Sequence, residues 1–297
     1  MKLSGVFVAT ITPFDAGGGI AFDQLESHLE FLVQAGVHGF VPCGTTGESA
    51  TLTADEWREV IRVTRKVAIG YGLKTVAGCG GNCTAVALER IREARELGCD
   101  AALVVTPYYN KPTDRGLLAH FEHLAEQGDF PLILYNVPSR TNVNLSVPLV
   151  SRLFNQKNIV GIKEASGHYA QWLELASTVE LKDKALLAGD DDAFALMLQL
   201  GGSGIISASA NLVPRLFVEL YRFAERGEWA EAFQLQKRLF PLTKALFAET
   251  NPSPVKAGLA ALGKISPDLR LPLVSATAET EKMIRAAMAG LELLTIA

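Results

Sequence analysis

The sequence predicts an α/β protein, a (β/α)8 TIM barrel with a C-terminal helical extension. Eight short apolar runs recur along its 297 residues, and a helical pattern follows each of them. Their starts lie roughly 20 to 35 residues apart, about the length of one βα unit. The runs are apolar on both faces, which is typical of parallel strands covered by helices. A doubly wound sheet is the alternative, but eight near-equal units favour the barrel.

Predicted strands and helices alternate from the amino terminus onward. Leucines recur at helical spacing in Phe22–Ala35, and Thr53 with Glu56 forms a capping box that predicts a helix starting near Ala54. The eight strand runs are Gly5–Phe14, Gly39–Gly44, Lys74–Gly80, Ala101–Pro107, Leu132–Val137, Ile159–Ala165, Ala185–Asp190 and Gly204–Ser209.

Strand patterns stop after Val213, and only helical patterns follow. The first completes the eighth βα unit, and the others lie beyond it. These patterns are Pro214–Arg226, Trp229–Phe247, Ser253–Gly263 and Thr280–Leu294. We therefore expect a catalytic barrel over residues 1–226 and a C-terminal helical domain over residues 227–297.

Composition argues against nucleic-acid and membrane partners. Lys and Arg number 28 against 32 Asp and Glu, a net charge of −4, so no strongly basic face is expected. The longest uncharged stretch, Ala193–Pro214, contains polar residues and a glycine pair, which indicates a buried helix, turn and strand. The first residues, Met1 to Phe14, lack a signal-peptide core. We expect a soluble, cytoplasmic protein.

No metal site is expected either. The four cysteines are Cys43, Cys79, Cys83 and Cys99. They contain no CxxC pair and no paired histidines follow them, so buried free thiols in a reducing cytoplasm are the favoured interpretation. Three aspartates, Asp190 to Asp192, could hold a hard cation, but capping of a helix near Ala193 is favoured.

Lys163 is the first candidate for catalysis, because active sites of such barrels form at the carboxyl ends of the strands. Alternation along Ile159–Ala165 places Val160 and Ile162 toward the helices and Lys163 toward the barrel interior. A lysine amine there is costly unless it is neutral or paired, and a neutral amine is a nucleophile. A Schiff-base lysine and a structural ion pair, for instance with Glu164, both remain open.

Other polar residues end neighbouring runs. Tyr135 ends the fifth run and could move protons beside Lys163, although an aromatic core residue is the commoner reading of a lone tyrosine. The turn Gly44–Glu48 could hold a small carboxylate through its amides and hydroxyls, or simply join strand to helix. Arg140 suits a carboxylate, or is solvated. Tyr109, in a two-tyrosine loop after the fourth run, could extend a hydrogen-bond chain or fill a subunit interface.

Several motifs, taken together in order, resemble one family over essentially the whole chain. They are GTTGES at 44–49, PYYN at 107–110, LYNVPSRT at 134–141, GIKEA at 161–165, AGDD at 188–191 and NPSPVK at 251–256. This set is similar to the pyruvate-dependent class I aldolase and lyase family, and within it to the dihydrodipicolinate synthase branch.

The resemblance implies a set of catalytic roles. Lys163 would form an imine with pyruvate, and Tyr135 would donate and accept protons. Thr45 would link Tyr135 to Tyr109, which in the family comes from the neighbouring subunit. The resemblance implies no metal or organic cofactor. It implies a homotetramer built as a dimer of dimers.

The resemblance also implies substrate contacts. Thr46 would hold the pyruvate carboxylate, Ile206 would contact pyruvate through its main chain, and Gly189 would line the pocket. Arg140 would hold the carboxylate of aspartate semialdehyde. This favours condensation of pyruvate with aspartate semialdehyde to 4-hydroxy-tetrahydrodipicolinate, for diaminopimelate and lysine biosynthesis.

Other functions remain as alternatives. A related lyase would cleave a 2-keto-3-deoxy sugar acid or N-acetylneuraminate, and a non-catalytic pyruvate- or sugar-acid-binding protein would keep only the barrel. The resemblance also points to a lysine-feedback cleft around Ser49, Ala50, Asn82 and Tyr108. Because Val86 stands where lysine-sensitive members have an acid, we expect weak or absent feedback.

Overall fold

Eight parallel strands close into a barrel in the order of the sequence, and the last strand pairs with the first. The computed structural model describes residues 3–179, 181 and 183–293. The strands are β1 (Gly5–Val8), β2 (Gly39–Phe40), β3 (Lys74–Gly78), β4 (Ala101–Val105), β5 (Leu132–Asn136), β6 (Ile159–Glu164), β7 (Ala185–Ala188) and β8 (Gly204–Ser207). The predicted (β/α)8 barrel is confirmed, and the doubly wound alternative is wrong.

Helices surround the barrel and extend beyond it. Within the described residues they are α1 (Phe22–Gln34), α2 (Ala54–Gly70), α3 (Thr84–Glu96), α4 (Asp114–Gly128), α5 (Pro138–Thr141), α6 (Val147–Leu153), α7 (Tyr169–Thr178), α8 (Phe194–Gln199), α9 (Pro214–Glu225), α10 (Trp229–Leu246), α11 (Ser253–Ala261) and α12 (Ala278–Gly290). The predicted capping box at the start of α2 is present, because Thr53 Oγ1 accepts from the Glu56 amide and Glu56 accepts from the Thr53 amide.

Two apolar clusters explain why the strands are hydrophobic on both faces. One fills the barrel interior and includes Phe7, Leu103 and Leu187. The other lies between the strands and the helices and includes Val104 and Leu186. Neighbouring residues of a strand therefore enter different clusters, as the period of two requires.

One predicted orientation in β6 is wrong. Val160 packs in the interior cluster and Ile162 in the outer one, although alternation was expected to place both toward the helices. The register between β5 and β6 shifts at Leu132 and Ile133, which inserts an extra residue at the start of β6. Beyond the shift the alternation holds, and Lys163 faces the interior as expected.

The helices after β8 pack on one side of the barrel. Helix α10 contacts α8, α9 and α12. Gln236 of α10 donates to the Asp191 carbonyl (3.0 Å) and accepts from the Ala195 amide (3.0 Å), which ties this extension to the segment after β7. The predicted boundary between residues 226 and 227 falls between α9 and α10 and stays a prediction. The outer limits of the two predicted domains, residues 1 and 297, lie outside the described residues. So does the last residue of the helix predicted over Thr280–Leu294.

The uncharged stretch Ala193–Pro214 divides into α8, β8 and short turns, as predicted. Among the described residues, no helix combines the length and the apolar character needed to span a membrane. Of the four cysteines, all free, Cys43, Cys79 and Cys99 are buried, whereas Cys83 is exposed, contrary to the expectation of buried thiols.

Candidate active site

A cavity of about 510 Å³ opens at the carboxyl ends of the barrel strands. Six of the eight predicted site residues line it: Thr45, Thr46, Tyr135, Arg140, Lys163 and Gly189. They come from four different strand ends, so the barrel brings together residues that lie far apart in the chain. The two remaining residues, Ile206 and Tyr109, are placed differently and are described below.

Lys163 and Tyr135 form the centre of this cavity. They are paired neighbours on β6 and β5, and the Lys163 amine lies 4.4 Å from the centre of the Tyr135 ring. Only 6% of Lys163 and 8% of Tyr135 is exposed. A barely hydrated amine beside a phenol has the arrangement that imine formation with proton transfer requires.

The alternative reading of Lys163 as a structural ion pair is not supported. Glu164 points away from the cavity and is fully buried, where its carboxylate accepts from the Ser166 amide (2.8 Å) and from Asn136 Nδ2 (3.0 Å). Within the described part of the chain, no carboxylate oxygen lies within 4.0 Å of the Lys163 amine.

The Gly44–Glu48 turn forms another wall of the cavity. Thr46 is buried, and its hydroxyl accepts from Asn251 Nδ2 at 2.9 Å. The Gly47 carbonyl accepts from Thr12 Oγ1 at 2.8 Å. A Cβ at Gly47 would approach the Cys43 amide nitrogen and the Thr10 carbonyl to 3.0 Å, so the turn packs closely against the end of β1. These contacts fix the backbone amides of the turn, which can then bind a carboxylate.

Arg140 stands at the mouth of the cavity. It lies in α5, whose helical turn starts at Pro138, and it is exposed. One guanidinium nitrogen, Nη2, lies 3.5 Å from the Asn251 carbonyl. Within the described residues the guanidinium makes no other hydrogen bond, so its remaining donors could bind a second anionic group such as a carboxylate.

Gly189 and Asp190 follow β7 on the side of Lys163. Burial, together with the charges of Asp192 and Asp191, raises the pKa of Asp190 to about 7. The expectation that these aspartates cap a helix is wrong. Neither Asp190 nor the residue preceding α8 makes a side-chain cap, and Asp191 instead accepts from the Ser209 amide (2.7 Å). No group of three or more His, Cys, Asp and Glu within the described residues is arranged to share a metal ion.

Ile206 and Tyr109 do not line this cavity. Ile206 is buried in the interior cluster and pairs with Phe7 of β1, so only its main chain could reach a ligand above it. Tyr109 is 89% exposed and has a φ of +71°, which is uncommon for a non-glycine residue. Within one chain, nothing in the cavity requires its hydroxyl.

Asn251 and Asp190 are among the cavity-lining residues that were not predicted as site residues. Asn251 bonds to Thr46 and contacts Arg140, and it belongs to a motif that the sequence showed without assigning a role. Asp190 belongs to a motif for which capping was expected. Both make contacts that are distant in sequence, so periodicity gives no signal for them, although each lies in a motif that carried the resemblance.

A second cavity, of about 560 Å³, lies on the other side of the Gly44–Glu48 turn. The residues predicted around a lysine cleft, namely Ser49, Ala50, Asn82, Val86 and Tyr108, all line it. The turn therefore forms part of the wall of both cavities, together with Tyr135 and Arg140.

Known proteins match the whole chain. It is 44% identical over 291 residues to a 4-hydroxy-tetrahydrodipicolinate synthase of Methanothrix thermoacetophila, which covers 98% of both chains. A chloride-inhibited dihydrodipicolinate synthase of Acinetobacter baumannii, solved with pyruvate, is 38% identical at a TM-score of 0.95 and covers 98% of this chain and 99% of that one. A structure described as the first monomeric dihydrodipicolinate synthase variant is 37% identical at a TM-score of 0.96, with 98% of each chain covered.

A model of the dihydrodipicolinate synthetase family matches residues 2–290. The matched span includes every strand of the barrel and all six residues that line the cavity from the predicted set. The chain therefore belongs to the dihydrodipicolinate synthetase family.

Proposed function

We propose that this protein condenses pyruvate with L-aspartate 4-semialdehyde to 4-hydroxy-tetrahydrodipicolinate through a Schiff base on Lys163. The observation that carries the proposal is the buried Lys163 amine, which faces the cavity 4.4 Å from the Tyr135 ring centre. Relatives named 4-hydroxy-tetrahydrodipicolinate synthase, aligned over nearly the whole chain, support this substrate choice over sugar acids.

The reaction begins with imine formation. The amine of Lys163 attacks the ketone carbon of pyruvate, and the resulting carbinolamine loses one water molecule. Tyr135, on the neighbouring strand, is placed to move the protons of this step. The protonated imine then withdraws electrons from the adjacent methyl group, which loses a proton and gives an enamine.

Carbon–carbon bond formation follows. The enamine carbon attacks the aldehyde of aspartate semialdehyde, whose oxygen takes up a proton to become the hydroxyl group. The substrate amine then attacks the imine carbon, closes the ring and releases the Lys163 amine. In balance, one pyruvate and one aspartate semialdehyde give one 4-hydroxy-tetrahydrodipicolinate and one water.

Both substrates are anions, and the site offers two separate places for carboxylates. The fixed backbone around Thr46 lies deep in the cavity and suits pyruvate, whereas the Arg140 guanidinium stands at its mouth and suits the second substrate. In this proposal Gly189 and the main chain of Ile206 complete the pyruvate site.

We also propose that the protein works as a homotetramer, a dimer of dimers, in the cytoplasm. The exposed Tyr109 supports at least a dimer, because a hydroxyl that completes a proton relay with Thr45 would come from another copy, and the tetramer is what the family resemblance implies. Since a solved relative is described as a monomeric variant, assembly has to be measured for this chain.

The first test combines turnover with trapping. Purified protein should consume pyruvate when aspartate semialdehyde is added, with the product followed by a coupled reductase. Borohydride should trap pyruvate on the protein at Lys163. Lys163→Ala should lose both signals, whereas Lys66→Ala, which removes an exposed lysine of α2, should lose neither.

The outcomes separate the competing functions. Trapping without condensation would reject the substrate pair and favour cleavage of a 2-keto-3-deoxy sugar acid or N-acetylneuraminate. Loss of both signals in the folded wild type would favour a non-catalytic binding protein.

A further inference from the structure

Glu48, the last residue of the Gly44–Glu48 turn, is held in an unusual conformation. Its φ is +51°, in the left-handed region, and its side chain is completely buried. Its amide donates to the Thr45 carbonyl at 3.1 Å, so its position is tied to that of the catalytic turn. Because a non-glycine residue adopts this conformation at a cost, surrounding contacts must hold it there.

The strongest of these contacts is an ion pair with Lys256 of α11. Glu48 Oε1 and Lys256 Nζ lie 2.6 Å apart, and neither side chain is exposed. The ammonium also donates to the Asp268 carbonyl (2.8 Å) and lies 4.3 Å from the centre of the Phe14 ring. Burial lowers the pKa of Lys256, and the charge of Glu48 opposes that shift.

The C-terminal extension contacts the Gly44–Glu48 turn and its surroundings at further points. Asn251, five residues before Lys256, donates to Thr46 Oγ1 at 2.9 Å. The backbone amide of Arg270 donates to Glu48 Oε2 at 3.2 Å, and its guanidinium binds the Gly18 carbonyl and the Glu56 carboxylate. Residues 251–270 therefore hold the turn at Thr46 and at Glu48.

We propose that Glu48 and Lys256 are positioning residues, whose buried ion pair sets the Thr45–Thr46 backbone at the geometry that binds the pyruvate carboxylate. This inference rests on the proposed function, since it deepens the role given there to Thr46. Neither residue lines the cavity that holds Lys163, so neither touches the reacting atoms.

The charged pair is explained better by geometry than by stability. A buried ion pair seldom stabilises a fold more than apolar residues of similar volume would, because both ions lose their hydration. Removal of one partner, however, leaves a buried charge that must find water or move. Here that charge sits at the end of the carboxylate-binding turn, so its movement is transmitted directly to Thr45 and Thr46.

The test starts with Lys256→Met, which keeps the length of the side chain and removes its charge. We expect the KM for pyruvate to rise about 10- to 100-fold, with a smaller change in kcat, because displaced backbone amides bind the carboxylate poorly. Borohydride trapping at saturating pyruvate should remain, since Lys163 is untouched. Assays are run well below the melting temperature of each variant.

Two further variants separate positioning from general destabilisation. Leu259→Ala removes buried apolar contacts from the same helix and should lower the melting temperature without changing the KM for pyruvate. The double variant Glu48→Gln/Lys256→Met removes the unpaired charge, and it should recover at least about tenfold in kcat/KM over Lys256→Met alone.

An unchanged KM for pyruvate in Lys256→Met would overturn the inference, and so would an equal rise in Leu259→Ala. If Lys256→Met does not fold, the double variant decides, because it carries no unpaired charge: its KM for pyruvate should still exceed that of the wild type, and an equal KM would overturn the inference. Failure of the proposed function is distinct: the wild type itself would then neither turn over nor trap pyruvate.

Discussion

Gly189 lies so close to Lys163 that no side chain fits between them. A Cβ at this position would lie 2.5 Å from Ala165 Cβ and 3.1 Å from Lys163 Cε. The end of β7 therefore packs closely against the aliphatic part of the Lys163 side chain and restricts the positions that its amine can take. A rigid amine is better placed for attack on a bound ketone than a mobile one.

Gly189→Ala should therefore impair both the reaction and the fold. We expect kcat/KM to fall about 100-fold as the lysine stem is displaced, and the free energy of unfolding to fall by about 1–3 kcal/mol from overpacking. Steady-state kinetics and urea unfolding measure the two effects. Gly70→Ala, where an added Cβ meets open space at the end of α2, is the matched control: it should leave kcat/KM unchanged and should not lower the free energy of unfolding.

For single residues, the sequence predicted the orientation of those side chains that follow the regular alternation along a strand. Lys163 and Tyr135 end strands whose interior faces could be counted, and both line the cavity. Val160 was misassigned, because the register shift between β5 and β6 depends on a pairing that one strand does not reveal. A site role for Asn251 was not predicted, because its partner, Thr46, lies 205 residues away in the sequence.

Among the elements, α1 and the turn after β8 are joined by a buried polar network. His28 Nε2 lies 2.9 Å from Asn211 Oδ1, and Asn211 Nδ2 donates to the carbonyls of Ala9 and Ala208. The other ring nitrogen of His28 has no partner within the described residues. Burial lowers the pKa of His28 to about 4, so the ring is neutral in the native state at pH 7.

This network should make the fold sensitive to acid. Between pH 6.5 and pH 4 the unfolded chain binds a proton at His28 that the native chain does not, so stability falls as the pH falls. At pH 4.5 the loss from this group is about 2 to 3 kcal/mol relative to pH 7. In His28→Gln, which keeps a donor for Asn211, the acid-induced loss measured by urea unfolding should be smaller by that amount.

The control is His168→Gln, a change at an exposed residue just before α7, which should retain the acid sensitivity of the wild type. His120 is buried beside Thr84 and its pKa is also lowered to about 4, but it is common to all three proteins and cancels in the comparison. Identical pH dependence in wild type and His28→Gln would contradict the assignment.

The second cavity permits a prediction about feedback by lysine. Val86 lines it and offers no charge to an ammonium, and Arg90 adds a like charge. Sub-millimolar lysine should therefore leave the wild type active. Val86→Glu should bring at least about tenfold tighter inhibition, because a carboxylate would then face the ammonium. The control Val274→Glu, at an exposed site of the extension, should not make lysine inhibition tighter. Inhibition of the wild type by sub-millimolar lysine would refute the prediction.

Elements with strong periodicity were predicted well, and short ones were not. Helix α2 begins at Ala54 as its capping box indicated, whereas α5 and α6, of four and seven residues, were not anticipated. Predicted strand runs also extended past the barrel, as at Gly5–Phe14 against Gly5–Val8 for β1. The apolar residues beyond such strand ends pack in loops over the barrel, where composition resembles that of a strand.

The whole molecule depends on segments that a barrel alone lacks. Residues 247–251, between α10 and α11, line the catalytic cavity, and residues 251–270 hold the turn at Thr46 and Glu48. The C-terminal extension therefore contributes to the site while it remains outside the barrel. We expect a second copy to contribute Tyr109, which is exposed and does not line the cavity of its own chain.

Mixed assemblies can test that contribution. A copy with Lys163→Ala has an inactive site but an intact Tyr109, and a copy with Tyr109→Phe has an intact lysine but no relay hydroxyl. If Tyr109 serves the neighbouring site, one mixed pair contains one inactive site and one with every group present. The Tyr109→Phe protein alone should be weak, because general acid–base groups contribute about 10²- to 10⁴-fold to the rate. Mixing the two proteins under conditions that exchange subunits should restore up to about half of the wild-type kcat per mixed pair, because one of its two sites is complete. Light scattering should show the assembly in the same samples. If Tyr109 served its own site, no mixed pair would contain a complete set, and activity would stay at the level of the Tyr109→Phe protein alone.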